Sequence, residues 1–143
     1  RPSQIKRLDV VNTLKSKTEG IRLTSSELSE AVKANMKDVM AARLDSHGLK
    51  LGWICSHILK AYNEKRIDEE LRDRLLILVE VLEDAARSAV DLGEKELSQI
   101  CGKMARQVEE LAEDYENPSS VQLDTIKKLT KAFELAKAAT AAA

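Results

Sequence analysis

Apolar residues recur at helical spacing along almost the whole chain. The clearest run is Leu51, Ile54, Cys55, Ile58, Leu59 and Tyr62, at i, i+3, i+4, i+7, i+8 and i+11. That spacing places all six on one face of an α-helix. It predicts a helix over about Leu49–Glu64. A segment before it opens with Thr24-Ser-Ser-Glu27, a capping-box pattern in which the Thr hydroxyl and the Glu side chain satisfy each other's backbone N–H groups. Leu28, Val32, Met36, Val39 and Met40 then form one face, and His47-Gly48 reads as the stop, glycine being free to turn left-handed after a helix end.

The rest of the chain follows the same logic. A thin stripe of Ile5, Leu8, Val11 and Leu14 predicts a short N-terminal helix over roughly Ser3–Thr18, ending near Gly20. Asp68, Glu69 and Glu70 suit the positive N-terminus of a helix over about Ile67–Leu92. Its middle, Leu75 to Val79, is apolar nearly all round, which predicts the most buried helix, one that touches several neighbours. After Gly93, the residues Leu97, Ile100, Cys101, Met104, Val108, Leu111 and Tyr115 mark a helix over about Glu94–Glu116, stopped by Asn117-Pro118. A second capping box, Ser119 with Gln122, opens a last helix through Leu123, Ile126, Leu129, Phe133 and Ala136.

Short connections between long helices make sequential neighbours antiparallel. The expected fold is all-α, an antiparallel up-and-down bundle of five main helices plus a short N-terminal one. Its core is expected to include Met40, Ile54, Ile58, Leu75, Leu78, Val79, Leu82, Met104, Val108, Leu111, Ile126 and Phe133. The 143 residues read as a single domain with no internal boundary. The chain starts without Met, so we expect a domain excised from a larger protein. The N-terminus lacks the apolar core of a signal peptide. The closing Ala-Ala-Ala is assigned no role.

Charge adds one feature. The net charge is −1, but residues 1–66 hold 13 basic and 7 acidic groups, and residues 67–143 hold 10 and 17. The halves are expected to attract each other within one bundle, or else to offer one basic and one acidic face to different partners, and the near-neutral whole has no bulk pull toward nucleic acid or acidic membranes. Cys55 and Cys101 both fall on apolar stripes and read as buried free thiols of a reduced, cytoplasmic protein.

The search for chemistry returns little. Leu44 and Ile54 precede His47 and His57 by three, so the Glu-x-x-His pairs of di-iron bundles do not occur. Cys55-x-His57 points its two groups to different sides of a helix, a poor start for zinc. There is no Gly-rich phosphate loop and no nucleophile elbow. With only four aromatic residues there is little to stack on bases. No catalytic residue, metal, cofactor, nucleic acid or membrane partner is expected.

One surface stands out. Residues on a helix follow each other at about 100°, so with Leu51 at zero the core stripe centres near 10°. Trp53 then falls at about 200°, Lys60 at about 180°, Glu64 at about 220°, His57 at about 240° and Lys50 at about 260°. The single Trp of the chain thus lies opposite the core stripe, one turn before a His and beside two Lys. It is expected either to be covered by the N-terminal segment or to mark a contact surface. Trp53, His57, Lys60, Lys50 and Glu64 are the candidate binding residues.

The run Ser56-His57-Ile58-Leu59-Lys60-Ala61 resembles the core of histidine phosphotransfer domains, helical bundles with an exposed His, Leu two on, Lys three on and a small residue four on. The resemblance spans six residues, with Ala61 where Gly is usual and Tyr62 where a small residue is typical. It implies a phosphoryl acceptor at His57, with Lys60 offsetting phosphate charge. The main expectation is a non-enzymatic helical protein–protein interaction module, an adaptor or scaffold. The alternatives are a histidine phosphotransfer-like signalling domain and a self-associating structural or secretion-related domain. A homodimer would form through the Trp53 face or the Leu97–Tyr115 stripe.

Overall fold

The structure, a computed structural model, describes residues 25–142. The expected helix over Ser3–Thr18, and Thr24 of the first capping box, lie outside them. Four helices make up the described chain: α1 Ser25–Asn63, α2 Glu69–Asp91, α3 Lys95–Glu113 and α4 Ser120–Ala142. The chain divides into two units, residues 1–39 and 40–143, and each is taken by itself.

Residues 40–142 form an up-down-up-down bundle. The α1–α2 connection closes on itself: Arg66 N–H donates to Ala61 O (2.9 Å) and Lys65 N–H to Tyr62 O (3.2 Å), with Lys65 in the left-handed region at φ 57°. The α2–α3 connection repeats the motif. Glu94 N–H donates to Ala89 O (2.8 Å) and Gly93 N–H to Val90 O (2.9 Å), with Gly93 at φ 76°. Both are the 6→1 closure that satisfies the last carbonyls of a helix. Asp68 caps α2 by accepting from Leu71 N–H (3.1 Å). At the start of α4 the capping box forms as expected: Gln122 N–H donates to Ser119 Oγ (3.0 Å) and Ser119 N–H to Gln122 Oε1 (2.9 Å).

α2 packs on α3, and α3 on α4. α1 runs antiparallel to α4. Lys137 Nζ reaches Asp45 Oδ1 at 2.8 Å, Gly48 faces Phe133, and Gly52 faces Thr130, so α4 numbers fall as α1 numbers rise. Tyr62 Oη donates to Tyr115 O (2.8 Å), tying the end of α1 to the α3–α4 connection. One apolar core runs through all four helices, from Leu51 and Ile58 to Leu75, Leu82, Val108, Ile126 and Phe133.

Three expectations are corrected. The five main helices are four, because the segments on either side of His47-Gly48 are one helix. Gly48 has ordinary helical geometry, and its missing side chain serves packing instead. A Cβ there would meet the Glu134 carboxylate and lie 3.2 Å from the Phe133 ring. The middle of α2 is not enclosed on all sides: Leu75, Leu78 and Val79 are buried, but Leu76 and Ile77 are exposed. Met40 is half-buried rather than core, and Leu28, Val32, Met36 and Val39, read as one face with it, are between 37% and 54% exposed. Every other residue named for the core is buried.

Candidate functional site

The outer face of α1 within residues 40–63 carries the candidate site. Its inner face is fixed by Leu51, Ile54, Cys55 and Ile58, all buried, and helical geometry then turns Trp53 and Lys60 outward. Trp53 is 65% exposed, and Leu49, one turn before it, is 79% exposed. Large apolar side chains left in water side by side mark contact surfaces. Sequence reasoning missed Leu49. Its position at about 160° on the same wheel was the available signal.

Trp53 and His57 are joined. Their ring centroids lie 4.2 Å apart, with planes tilted by 40°. His57 Nδ1 lies 2.9 Å from Trp53 O, and since a carbonyl only accepts, Nδ1 is the protonated nitrogen. In the neutral ring Nε2 then carries the lone pair. Lys60 is exposed one turn beyond, and Lys50 is exposed one turn before Trp53. Glu64 is not part of this cluster. It lies past the helix end and pairs with Arg66 Nε at 2.9 Å.

Ala61, the small residue four beyond His57, is buried in the core. It fills space between helices and does not clear an approach to the imidazole. The Leu97–Tyr115 stripe is likewise occupied: Leu97, Cys101, Met104, Val108 and Leu111 are buried against the chain's own core. Ile100 of the same stripe is exposed.

Other features are inert. Burial pushes the thiols of Cys55 and Cys101 up to about 11, in Cys55 against the opposing effect of a hydrogen bond with Thr130, so neither is a thiolate near neutral pH. A groove between α3 and α4, lined by Val108, Leu111, Val121 and Ile126, holds about 130 Å³. Ordinary ligand sites start near ~300 Å³. Among the described residues no three His, Cys, Asp or Glu side chains gather to hold a metal ion, and no helix is long and apolar enough to cross a membrane. Compared with family models, with curated proteins and with solved structures, the chain matches none.

Proposed function

We propose that this chain is a non-enzymatic protein-binding module whose docking surface is the outer face of α1, centred on Leu49, Trp53 and His57 with Lys50 and Lys60 at its rim. The observation that carries the reading is the exposure of Trp53 beside Leu49 on a stretch of helix whose opposite side, Leu51, Ile54, Cys55 and Ile58, is buried. Trp is enriched among the residues that dominate binding energy, and an apolar pair rimmed by cations suits a partner with an apolar and acidic contact.

The single Trp makes the test direct. In the monomer its emission should be red-shifted and readily quenched by iodide and acrylamide. Trp53→Ala should leave the melting temperature unchanged while abolishing association with the partner. Blue-shifted, protected emission in the monomer would sink the reading.

A second reading has one observation in its favour. The Nδ1–H bond to Trp53 O holds the His57 tautomer in which Nε2 is the nucleophile. In a phosphotransfer role that lone pair would attack the phosphorus of an acyl phosphate on a receiver domain. The new N–P bond would form as the aspartyl O–P bond breaks, with the carboxylate as leaving group. Labelling of wild type but not of His57→Ala by a phosphorylated receiver domain is the expected result, and an unlabelled wild type would end it.

A further inference from the structure

Within residues 40–142 charge is sorted by helix. From Met40 to Asn63, α1 carries Arg43, Lys50 and Lys60 against Asp45. α4 carries Lys127, Lys128, Lys131 and Lys137 against Asp124 and Glu134. α2 has three basic and seven acidic residues, and α3 three and four. Since α1 and α4 lie side by side, that side of the bundle is positive and the α2–α3 side negative. Every carboxylate on these stretches of α1 and α4 is already engaged. Asp45 and Glu134 both accept from Lys137, at 2.8 and 2.9 Å, and Asp124 pairs with Lys128 at 2.9 Å. Among the described residues Lys50, Lys60, Lys127 and Lys131 pair with no carboxylate, and all four are exposed.

Two of these lysines extend the candidate site beyond α1. Glu134 lies against Gly48, and Thr130 against Gly52. The α4 stripe Lys127, Lys131 and Glu134, at i, i+4 and i+7, therefore runs beside α1. Leu49, Trp53, Ser56 and Lys60, at i, i+4, i+7 and i+11, form the facing ridge. Between the two ridges lie Thr130 and Gly52, which has no side chain to fill the space. The result is a groove along the helix axes, apolar at Leu49 and Trp53 and cationic toward Lys60 and Lys127. We infer that this groove takes an acidic amphipathic helix of another protein, its apolar residues on Leu49 and Trp53 and its carboxylates on Lys60, Lys127 and Lys131.

The inference rests on the reading of the Leu49–Trp53 face as a protein-docking surface, and adds α4 as its second wall. Charge selects the sign of the partner. Lysines without a carboxylate of their own gain one from an acidic partner, whereas a basic partner would set like charges together. Shape selects the helix. Peptides bind by adding a strand to a sheet edge, by lying as polyproline in an aromatic-lined groove, or as a helix between ridges. The described elements are all helices, so there is no sheet edge among them. Trp53 is their only exposed aromatic residue, Tyr62 and Tyr115 being half-buried and Phe133 buried, so a polyproline segment has nothing to line it. The same scarcity disfavours nucleic acid, whose bases need successive stacking platforms. From Leu49 to Lys60 the ridge rises ~16 Å, about three turns of a docked helix.

Trp53 itself reports on the test. The probe is a Trp-free peptide of ~15 residues, long enough to hold a helix, with Leu on one face and Glu on the other. Its counterpart carries Lys in place of each Glu. The full chain is titrated with both. The acidic peptide should shift Trp53 emission to the blue and protect it from acrylamide, and the lysine peptide should do neither. Lys127→Glu with Lys131→Glu should weaken the acidic peptide about ten-fold. Lys103→Glu, exposed on α3, should leave its binding unchanged. An acidic peptide that binds no tighter than the lysine peptide, or as tightly to the double variant, overturns the inference. So does a shift with phosphatidylserine vesicles or a thymidine oligonucleotide where the acidic peptide gives none. A mass that rises with concentration in the absence of peptide, and no longer rises in the double variant, also overturns it, by making the acidic α2 of a second copy the occupant. Trp53 quenching in the free monomer separates the two claims. A freely quenched Trp leaves the docking surface standing for a different partner, and a protected one removes both.

Discussion

Two stretches of α1 carry apolar residues at helical spacing and end in different environments. Between Leu44 and Ala61, the side chains of Leu51, Ile54, Cys55 and Ile58 are buried against the other helices. Between 25 and 39, Leu28, Val32, Met36 and Val39 repeat just as regularly, and none is buried. Spacing decides which side of a helix is apolar. It does not decide whether anything covers that side. Coverage of the Leu44–Ala61 stretch comes in part from α4, which approaches closely enough at Gly48 for the Phe133 ring to fit.

The sharpest way to break this contrast is to truncate both stripes. Phe133→Ala or Leu51→Ala removes a fully buried side chain, and large-to-small changes of this kind cost ~2–5 kcal/mol. Leu28→Ala and Val32→Ala remove groups already in water, so each should shift monomer stability by less than ~0.5 kcal/mol. Chemical denaturation at concentrations low enough to keep the chain monomeric compares them. Equal losses from the two stripes would show that the Leu28–Val39 stripe is covered after all.

A second test compares the two helix ends that close alike. Gly93 occupies the left-handed position after α2, while Lys65 occupies it after α1. A side chain with a Cβ is strained there by ~1 kcal/mol or more, and Gly is not. Gly93→Ala should therefore lower stability by about 1 kcal/mol, and Lys65→Gly should raise it by a similar or smaller amount. Denaturant midpoints with unchanged m values would measure both. A loss of stability in Lys65→Gly would mean that the lysine side chain makes a contact outweighing its backbone strain.

Glycines inside helices give a finer contrast. Gly102 has room for a Cβ, its nearest neighbour being the end of Arg106 at 3.8 Å. Gly102→Ala should stabilise by up to ~1 kcal/mol through helix propensity alone. Gly48→Ala gains the same propensity but pushes on the buried Phe133 ring and the Glu134 carboxylate, so it should gain nothing or lose. The melting temperature should rise for Gly102→Ala and stay level or fall for Gly48→Ala, and parallel gains would show that Phe133 has room to give.

These contrasts also mark what the sequence made legible. Capping chemistry is local, so Ser119 with Gln122 was readable from side-chain type and spacing, whereas Asp68, read as first-turn charge, is the cap itself and accepts from Leu71 N–H. Period-3.6 spacing placed Ile54, Ile58, Leu82 and Val108 in the core for the same reason. Gly48 was misread because glycine serves two purposes, turning a chain left-handed and letting another element approach. Only the position of α4 separates them. Leu76 and Ile77 were misread because an apolar run fixes no limit on how many neighbours a helix has. At the candidate site, the outward direction of Trp53 follows from the wheel. The His57 tautomer depends on a 2.9 Å bond that no spacing rule contains.

His47 supplies the smallest effect and the subtlest comparison, since it and His57 are the only histidines and lie on one helix. The Nδ1 of His47 is buried without a hydrogen-bond partner. Its pKa is held below 6.5, chiefly by burial and then by Lys50, with Asp84 pulling the other way and Arg43 adding to the depression. In the window between that lowered value and 6.5 the unfolded chain binds the proton more tightly than the folded one. Stability tied to His47 is therefore complete above 6.5, declines as pH falls through the window, and is gone below the folded value. Denaturation midpoints between pH 7 and pH 5.5 should fall in wild type, and His47→Leu should flatten that slope. The same slope in both proteins would show that the imidazole takes its proton without cost, and that the buried nitrogen has a partner in solution.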